Sequence, residues 1–221
     1  MSPLPRAFAR TAARRRHLDQ GNLLRSLTLV INKVPGGINL GQGVCDLDTP
    51  SPLRDGAMQS IGGADRQLYT PYAGLPELRE AIASKLRRHN GLPYEAANVA
   101  VTTGSSGAFF AAGMTLIDAG DEVVLFEPYY SYHGSTVPLF GAVPVAVPLD
   151  RQTLAFDAQA LRRALTRKTR AVVVNTPGNP SGKVWTRAEL EELAAVLDGS
   201  DVLVLTDEVY EYMCFDGRKH V

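Results

Sequence analysis

Asp207 directly follows the strand-like run Val202 to Thr206, which places a carboxylate where solvent is scarce. An unpaired charge in such a position is costly, so it needs a positive or proton-bearing partner. Three residues on, Tyr210 can bring a phenol toward the same ligand. Gly104-Ser105-Ser106-Gly107 opens a helix-like segment and places backbone N–H groups and two hydroxyls at the positive end of a helix dipole. That is a seat for an anion such as phosphate. The stretch from Asn175 to Gly182 holds two prolines, two glycines and two asparagines, a composition suited to a rigid loop that presents the amide of Asn179. Tyr129 and Tyr130, behind Pro128, add an aromatic face.

Each feature alone has an ordinary structural reading: a helix cap, a salt bridge to a neighbouring arginine, a core aromatic. In combination they specify more. An anion seat, a flat aromatic, an amide, a phenol and a buried carboxylate suit a planar, phosphorylated heteroaromatic cofactor whose ring nitrogen carries a proton, and pyridoxal 5'-phosphate meets each requirement. Neither a Walker loop nor a G-x-G-x-x-G fingerprint is present, so a nucleotide site is not indicated.

The elements that must position these residues are legible from periodicity. Strand candidates are Val99–Thr103, Glu122–Phe126, Ala142–Val147, Ala171–Asn175 and Val202–Thr206, each short and apolar or β-branched. Helix candidates are Pro76–Leu86, with Gly91 as a stop, Ser105–Ile117, Asp157–Arg167 and Thr186–Leu197. Thr186 and Glu189 have the spacing of a capping box. Alternation of this kind predicts an α/β fold with a mostly parallel sheet sandwiched by helices. Ligands bind such sheets beyond the carboxyl ends of the strands, which is where the residues above fall.

Composition narrows the function classes. The 221 residues are 45% hydrophobic, enough for a sizeable core, and 23 basic residues balance 23 acidic ones. No global positive field exists to attract nucleic acid or an anionic membrane. Apolar runs such as Val202–Leu205 are far shorter than the roughly 18 residues that span a bilayer. Cys45 and Cys214 stand in unrelated contexts, which fits a reducing cytoplasm better than a disulfide or zinc scaffold. The one asymmetry lies at the start: Met1 to Val30 carries six arginines against the single acid Asp19. Residues 1–38 are therefore read as a basic leader or arm and residues 39–221 as one cofactor-binding domain.

The motifs resemble the class I/II aminotransferases, the fold-type-I pyridoxal-phosphate enzymes. The matching stretches are Asn39-Leu40-Gly41-Gln42-Gly43, Tyr69 to Arg79, Thr103 to Ala108, Gly120 to Val123, Glu127 to Tyr130, Asn175 to Gly182 and Asp207 to Tyr210, in family order. The resemblance implies that Asp207 pairs with the pyridinium nitrogen and that Tyr210 and Asn179 bond the ring's phenolic oxygen. It further implies that Tyr130 stacks on the ring, that Gly104, Ser105 and Ser106 hold the phosphate, and that Gly43 and Asn179 face the substrate. Tyr69 resembles the tyrosine lent to the neighbouring subunit's phosphate, which implies a homodimer. The implied activity is transfer of an amino group from an amino acid to a 2-oxo acid, in amino acid metabolism. Among subgroups, the patterns look most like the glutamine, methionine or kynurenine transaminases.

Two small departures are Cys45, where the family usually has proline, and Gly107, where glutamine is common. A larger one concerns lysine. Lys33, Lys85, Lys168, Lys183 and Lys219 all lie outside the family's lysine motif, which falls further downstream than Val221, so no residue here is assigned the covalent attachment. The expectation is a truncated large domain that is inactive alone. Alternatives are a carbon–sulfur lyase or synthase of the same fold, or a non-catalytic cofactor-binding regulatory fragment.

Overall fold

The computed structural model describes residues 23–41, 43, 45–63 and 68–221. The arginine-rich stretch of the leader, residues 1–22, lies outside them. Two compact units are present, one formed by Leu23–Thr103 and the other by Gly104–Val221.

The second unit is built on four parallel strands, β1 (Glu122–Glu127), β2 (Val143–Pro148), β3 (Thr169–Asn175) and β4 (Leu203–Asp207), in the spatial order β2-β1-β3-β4. The near-continuous apolar runs of the central strands β1 and β3 follow from burial on both faces, while the edge strands β2 and β4 are partly exposed. Val124, Phe126, Val172 and Val174 point to one side, where they pack with Leu161, Trp185, Leu193 and Leu197. The alternate residues Val123, Leu125, Ala171 and Val173 point to the other, against Ile117, Val137 and Phe140. The covering helices are α4 (Gly104–Leu116), α5 (Ser131–Thr136), α6 (Ala158–Ala164) and α7 (Arg187–Leu197).

Local sequence explains where these helices begin and end. Thr186 and Glu189 form the predicted capping box of α7, with each side chain bonded to the other's backbone N–H at 3.2 and 2.9 Å. Asp157 caps α6 by accepting from Gln159 N at 2.8 Å. The predicted helix reached Arg167, but α6 stops at Ala164. Beyond it Thr166 turns away, with its hydroxyl on Glu122 at 2.6 Å and its N–H on the Thr169 hydroxyl at 2.9 Å. Gly113 sits in α4 where an added Cβ would lie 2.2 Å from the Phe140 ring, so only glycine lets that ring approach.

The first unit consists of α1 (Leu23–Ile31), α2 (Ser51–Gly62) and α3 (Pro76–Lys85), with one π-helical turn from Leu86 to Asn90. Pro76 and Glu77 start α3 and Lys85 closes it, in keeping with the helix dipole. Gly91, at φ +68°, ends the segment as predicted. Val99–Thr103 is not a strand, contrary to its composition. Its backbone is engaged elsewhere: Arg79 donates to Val99 O at 2.8 Å and to Ala96 O at 2.7 Å, and Val101 N donates to Ala73 O at 3.0 Å. β-propensity yields to these pairings.

Candidate functional site

The sheet reverses its winding between β1 and β3, since β2 lies outside β1 and β4 lies outside β3. The crevice beyond the carboxyl ends of these strands is where α/β sheets take ligands. Three segments leave the sheet there, Pro128–Tyr130 after β1, the loop to Gly182 at the end of β3 and the stretch to Tyr210 at the end of β4, and the start of α4 lies beside the last of them.

Asp207 ends β4 with its side chain only 15% exposed. Its partner is His133 on α5, whose buried ring nitrogen Nε2 lies 3.0 Å from Oδ2. The partner is thus a histidine and not the arginine that a plain structural reading would supply. A carboxylate only accepts, so Nε2 carries the hydrogen and donates. This bond holds the Asp207 carboxyl below its usual range; burial pushes the other way, and the Val209 N–H at 3.4 Å adds a further lowering contact. The result is a charged acceptor at a half-buried position.

The Asn175–Gly182 loop is locked to the same strand end. Asn175 Nδ2 and Thr176 N both donate to the Asp207 carbonyl, at 2.9 and 3.0 Å. The Asn175 side-chain oxygen then accepts from Asn179 N at 2.7 Å, and Asn179 Nδ2 reaches the Tyr210 hydroxyl at 3.5 Å. Asn179, Asp207 and Tyr210 are therefore brought together by a chain of backbone-anchored bonds.

The two tyrosines after Pro128 separate in role. Tyr129 packs on the core cluster, with its ring against Gly134, where a Cβ would come within 2.5 Å. Tyr130 stands instead edge-on to His133, with ring centroids 5.5 Å apart at 88°. Gly104 takes φ +70° at the start of α4, a left-handed conformation that suits glycine, and Ser105 is exposed beside it. A cleft of about 340 Å³ runs between α4 and the end of β4, lined by Ser105, Phe109, Val173, Asp207 and Val209.

Gly104, Ser105, Ser106, Tyr130, Asn179, Asp207 and Tyr210 thus all belong to the second unit. Gly43 and Tyr69 belong to the first unit, and Tyr69 is fully exposed. Sequence reasoning missed His133, Tyr132 and Asn175. His133 had a signal, because a carboxylate at a buried strand end demands a proton donor; Asn175 had none beyond its place in the loop.

Lys183 is nearly buried and bonded to Glu189 at 2.6 Å, with its ammonium 5.0 Å above the Trp185 ring. Burial raises the Glu189 carboxyl, but the Lys183 and backbone hydrogen bonds outweigh it and leave it below its usual range. This lysine is fully engaged. Among the described residues no group of three or more potential metal ligands occurs, and no helix is long and apolar enough to cross a membrane.

Residues 35–221 match the family model described as aminotransferase class I and II. A probable N-succinyldiaminopimelate aminotransferase of Mycobacterium tuberculosis is 42% identical over 189 residues, which are 84% of this chain and 47% of that protein. The aspartate aminotransferase of Geobacillus stearothermophilus is 38% identical over 185 residues, 83% of this chain and 47% of that one. The solved N-succinyldiaminopimelate aminotransferase of M. tuberculosis superposes with a TM-score of 0.88 at 38% identity, covering 96% of this chain and 55% of the other. An Escherichia coli protein with a methionine aminotransferase function does so at 0.84 and 31%, covering 96% and 54%. The chain spans about half the length of the curated relatives it matches.

Proposed function

The chain belongs to the class I and II aminotransferases, and from that membership we propose that it forms the cofactor-binding part of an enzyme that moves an amino group from an amino acid to a 2-oxo acid. Enzymes of this family depend on pyridoxal 5'-phosphate. When bound, that cofactor supplies an electron sink for the bonds at an amino acid's α-carbon.

The donor set fits such a group. Asp207, kept anionic by His133, accepts a hydrogen bond from a protonated ring nitrogen and so favours the protonated ring. Asn179 Nδ2 and the Tyr210 hydroxyl, 3.5 Å apart, are both donors to one ring oxygen. Tyr130 offers a ring face, and Gly104, Ser105 and Ser106 present hydroxyls and N–H groups to a phosphate. Gly43 and Asn179 are assigned to the substrate. The observation that carries the reading is the His133–Asp207 pair at the end of β4, because it sets a charged acceptor at the carboxyl end of the sheet, where a protonated ring nitrogen can meet it.

The relatives named for N-succinyldiaminopimelate and for aspartate, at 42% and 38% identity, support a dicarboxylic amino acid as donor over the glutamine, methionine or kynurenine subgroup, which the Escherichia coli neighbour at 31% identity favours. The fully exposed Tyr69 supports a homodimer in which it serves the other copy's site. The two free cysteines, Cys45 and Cys214, support a reducing, cytoplasmic setting.

Titration of the chain with pyridoxal 5'-phosphate, followed by absorbance and by intact mass after borohydride, tests the proposal. Saturable binding that Asp207→Ala weakens at least tenfold is the expected result. Absence of saturable binding by the parent chain overturns it.

A further inference from the structure

α5 is only six residues long, yet two neighbours on it reach opposite ends of the candidate site. His133 holds Asp207. Tyr132, the residue before it, donates its hydroxyl to the carbonyl of Ser106 in the first turn of α4 at 3.0 Å. The Tyr132 ring also meets Phe109 of α4 edge-on, with centroids 6.4 Å apart, and Tyr130 at 6.2 Å. Phe109 in turn lies 4.7 Å from the His133 ring. A phenol bonded to a helical carbonyl is a directional tether, whereas the Phe109 contacts are apolar and tolerate sliding.

We propose that Tyr132 is a positioning residue that fixes the anion-binding turn Gly104–Ser106 at a set distance from the Asp207 carboxylate, so that a phosphorylated pyridine meets both at once. The inference rests on the reading of that turn as the phosphate seat. Tyr132 touches neither the phosphate nor the ring in this account. It acts through the Ser106 backbone: the first-turn N–H groups of α4 keep their aim only while the turn is held. Removing the phenol therefore costs affinity for the phosphate end and leaves the ring end, anchored through His133, as it was.

The test uses pyridoxamine 5'-phosphate and pyridoxamine, which lack the aldehyde and so form no imine with surface lysines. Their affinities for the parent chain and for Tyr132→Phe are compared by ligand fluorescence, with thermal melting as the check on folding. The parent is expected to prefer the phosphorylated ligand. Tyr132→Phe is expected to reduce that preference about fivefold, the worth of one neutral hydrogen bond, with pyridoxamine affinity unchanged. An unchanged ratio, or equal weakening of both ligands, overturns the inference while the cofactor reading stands. Failure of the parent to prefer the phosphorylated ligand overturns the reading of the seat and the inference with it. If Tyr132→Phe does not fold, the ratio is read in Phe109→Leu, which removes an aromatic contact of Tyr132 but keeps the phenol's bond to Ser106 and so keeps the turn held. There the ratio is expected to hold, and a fivefold fall would assign the seat to the aromatic wedge and overturn the role of Tyr132.

Discussion

The two units carry family motifs alike but differ in what they bury. In Gly104–Val221 the central strands β1 and β3 are sealed on both faces, with Val124, Val172 and Val174 at 0% exposure. In Leu23–Thr103 the described core is nearly absent: Ala83 is buried, whereas Leu53, Met58 and Ile61 of α2 are 67%, 66% and 74% exposed. The same helix has an apolar stripe and no buried residue. A recognisable motif and a large buried core are therefore separate properties, and the candidate cofactor residues concentrate in the unit that holds the larger core.

The sharpest way to break this contrast is a matched pair of truncations. Leu161→Ala, in a position with 0% exposure, is expected to cost about 3 kcal/mol of stability, while Leu53→Ala in α2 stays within about 0.5 kcal/mol. Equal shifts in urea denaturation would show that α2 is packed after all. Next in size is Glu189→Gln, which leaves the ammonium of Lys183 buried without its carboxylate and is expected to cost about 2 kcal/mol. A cost near zero would mean that the pair is solvated in solution.

The smallest effect is a pH dependence in the second unit. The depressed carboxyl of Asp207 contributes stability that is fully present above the unfolded value of about 3.9 and is lost as pH falls through the lower folded value. His133→Phe is expected to flatten that limb of the urea midpoint against pH, while the lowered carboxyls of Asp150 and Glu189 go on contributing to it. An unaltered acid limb would show that the His133 bond does not set the Asp207 titration.

Legibility in the sequence follows the same division. All four strands and the capped helix α7 were readable, because parallel strands are continuous apolar runs and a T-x-x-E box is a local signal. Val99–Thr103 misled, because its residues favour a strand while Arg79 and Ala73 claim its backbone. In the candidate site, Asp207, Asn179 and Tyr210 were legible from the rigid loop and the strand end. Tyr132 was not, because the acceptor it finds is a backbone carbonyl 26 residues away, which no side-chain pattern announces.

Parallel pairing also imposes a schedule. β1 pairs with β3 in a register that joins Glu122 to Thr169, so one side of β1 waits for 47 residues to be made before its ladder can close. At about 5–20 residues per second that is a delay of roughly 2–9 seconds during synthesis. The anion seat on α4 is made first, His133 follows, the Asn175–Gly182 loop comes next, and Asp207 arrives last. His133 waits longer still, 74 residues or roughly 4–15 seconds, with no carboxylate to meet, and the ring end of the site closes only when β4 takes its place.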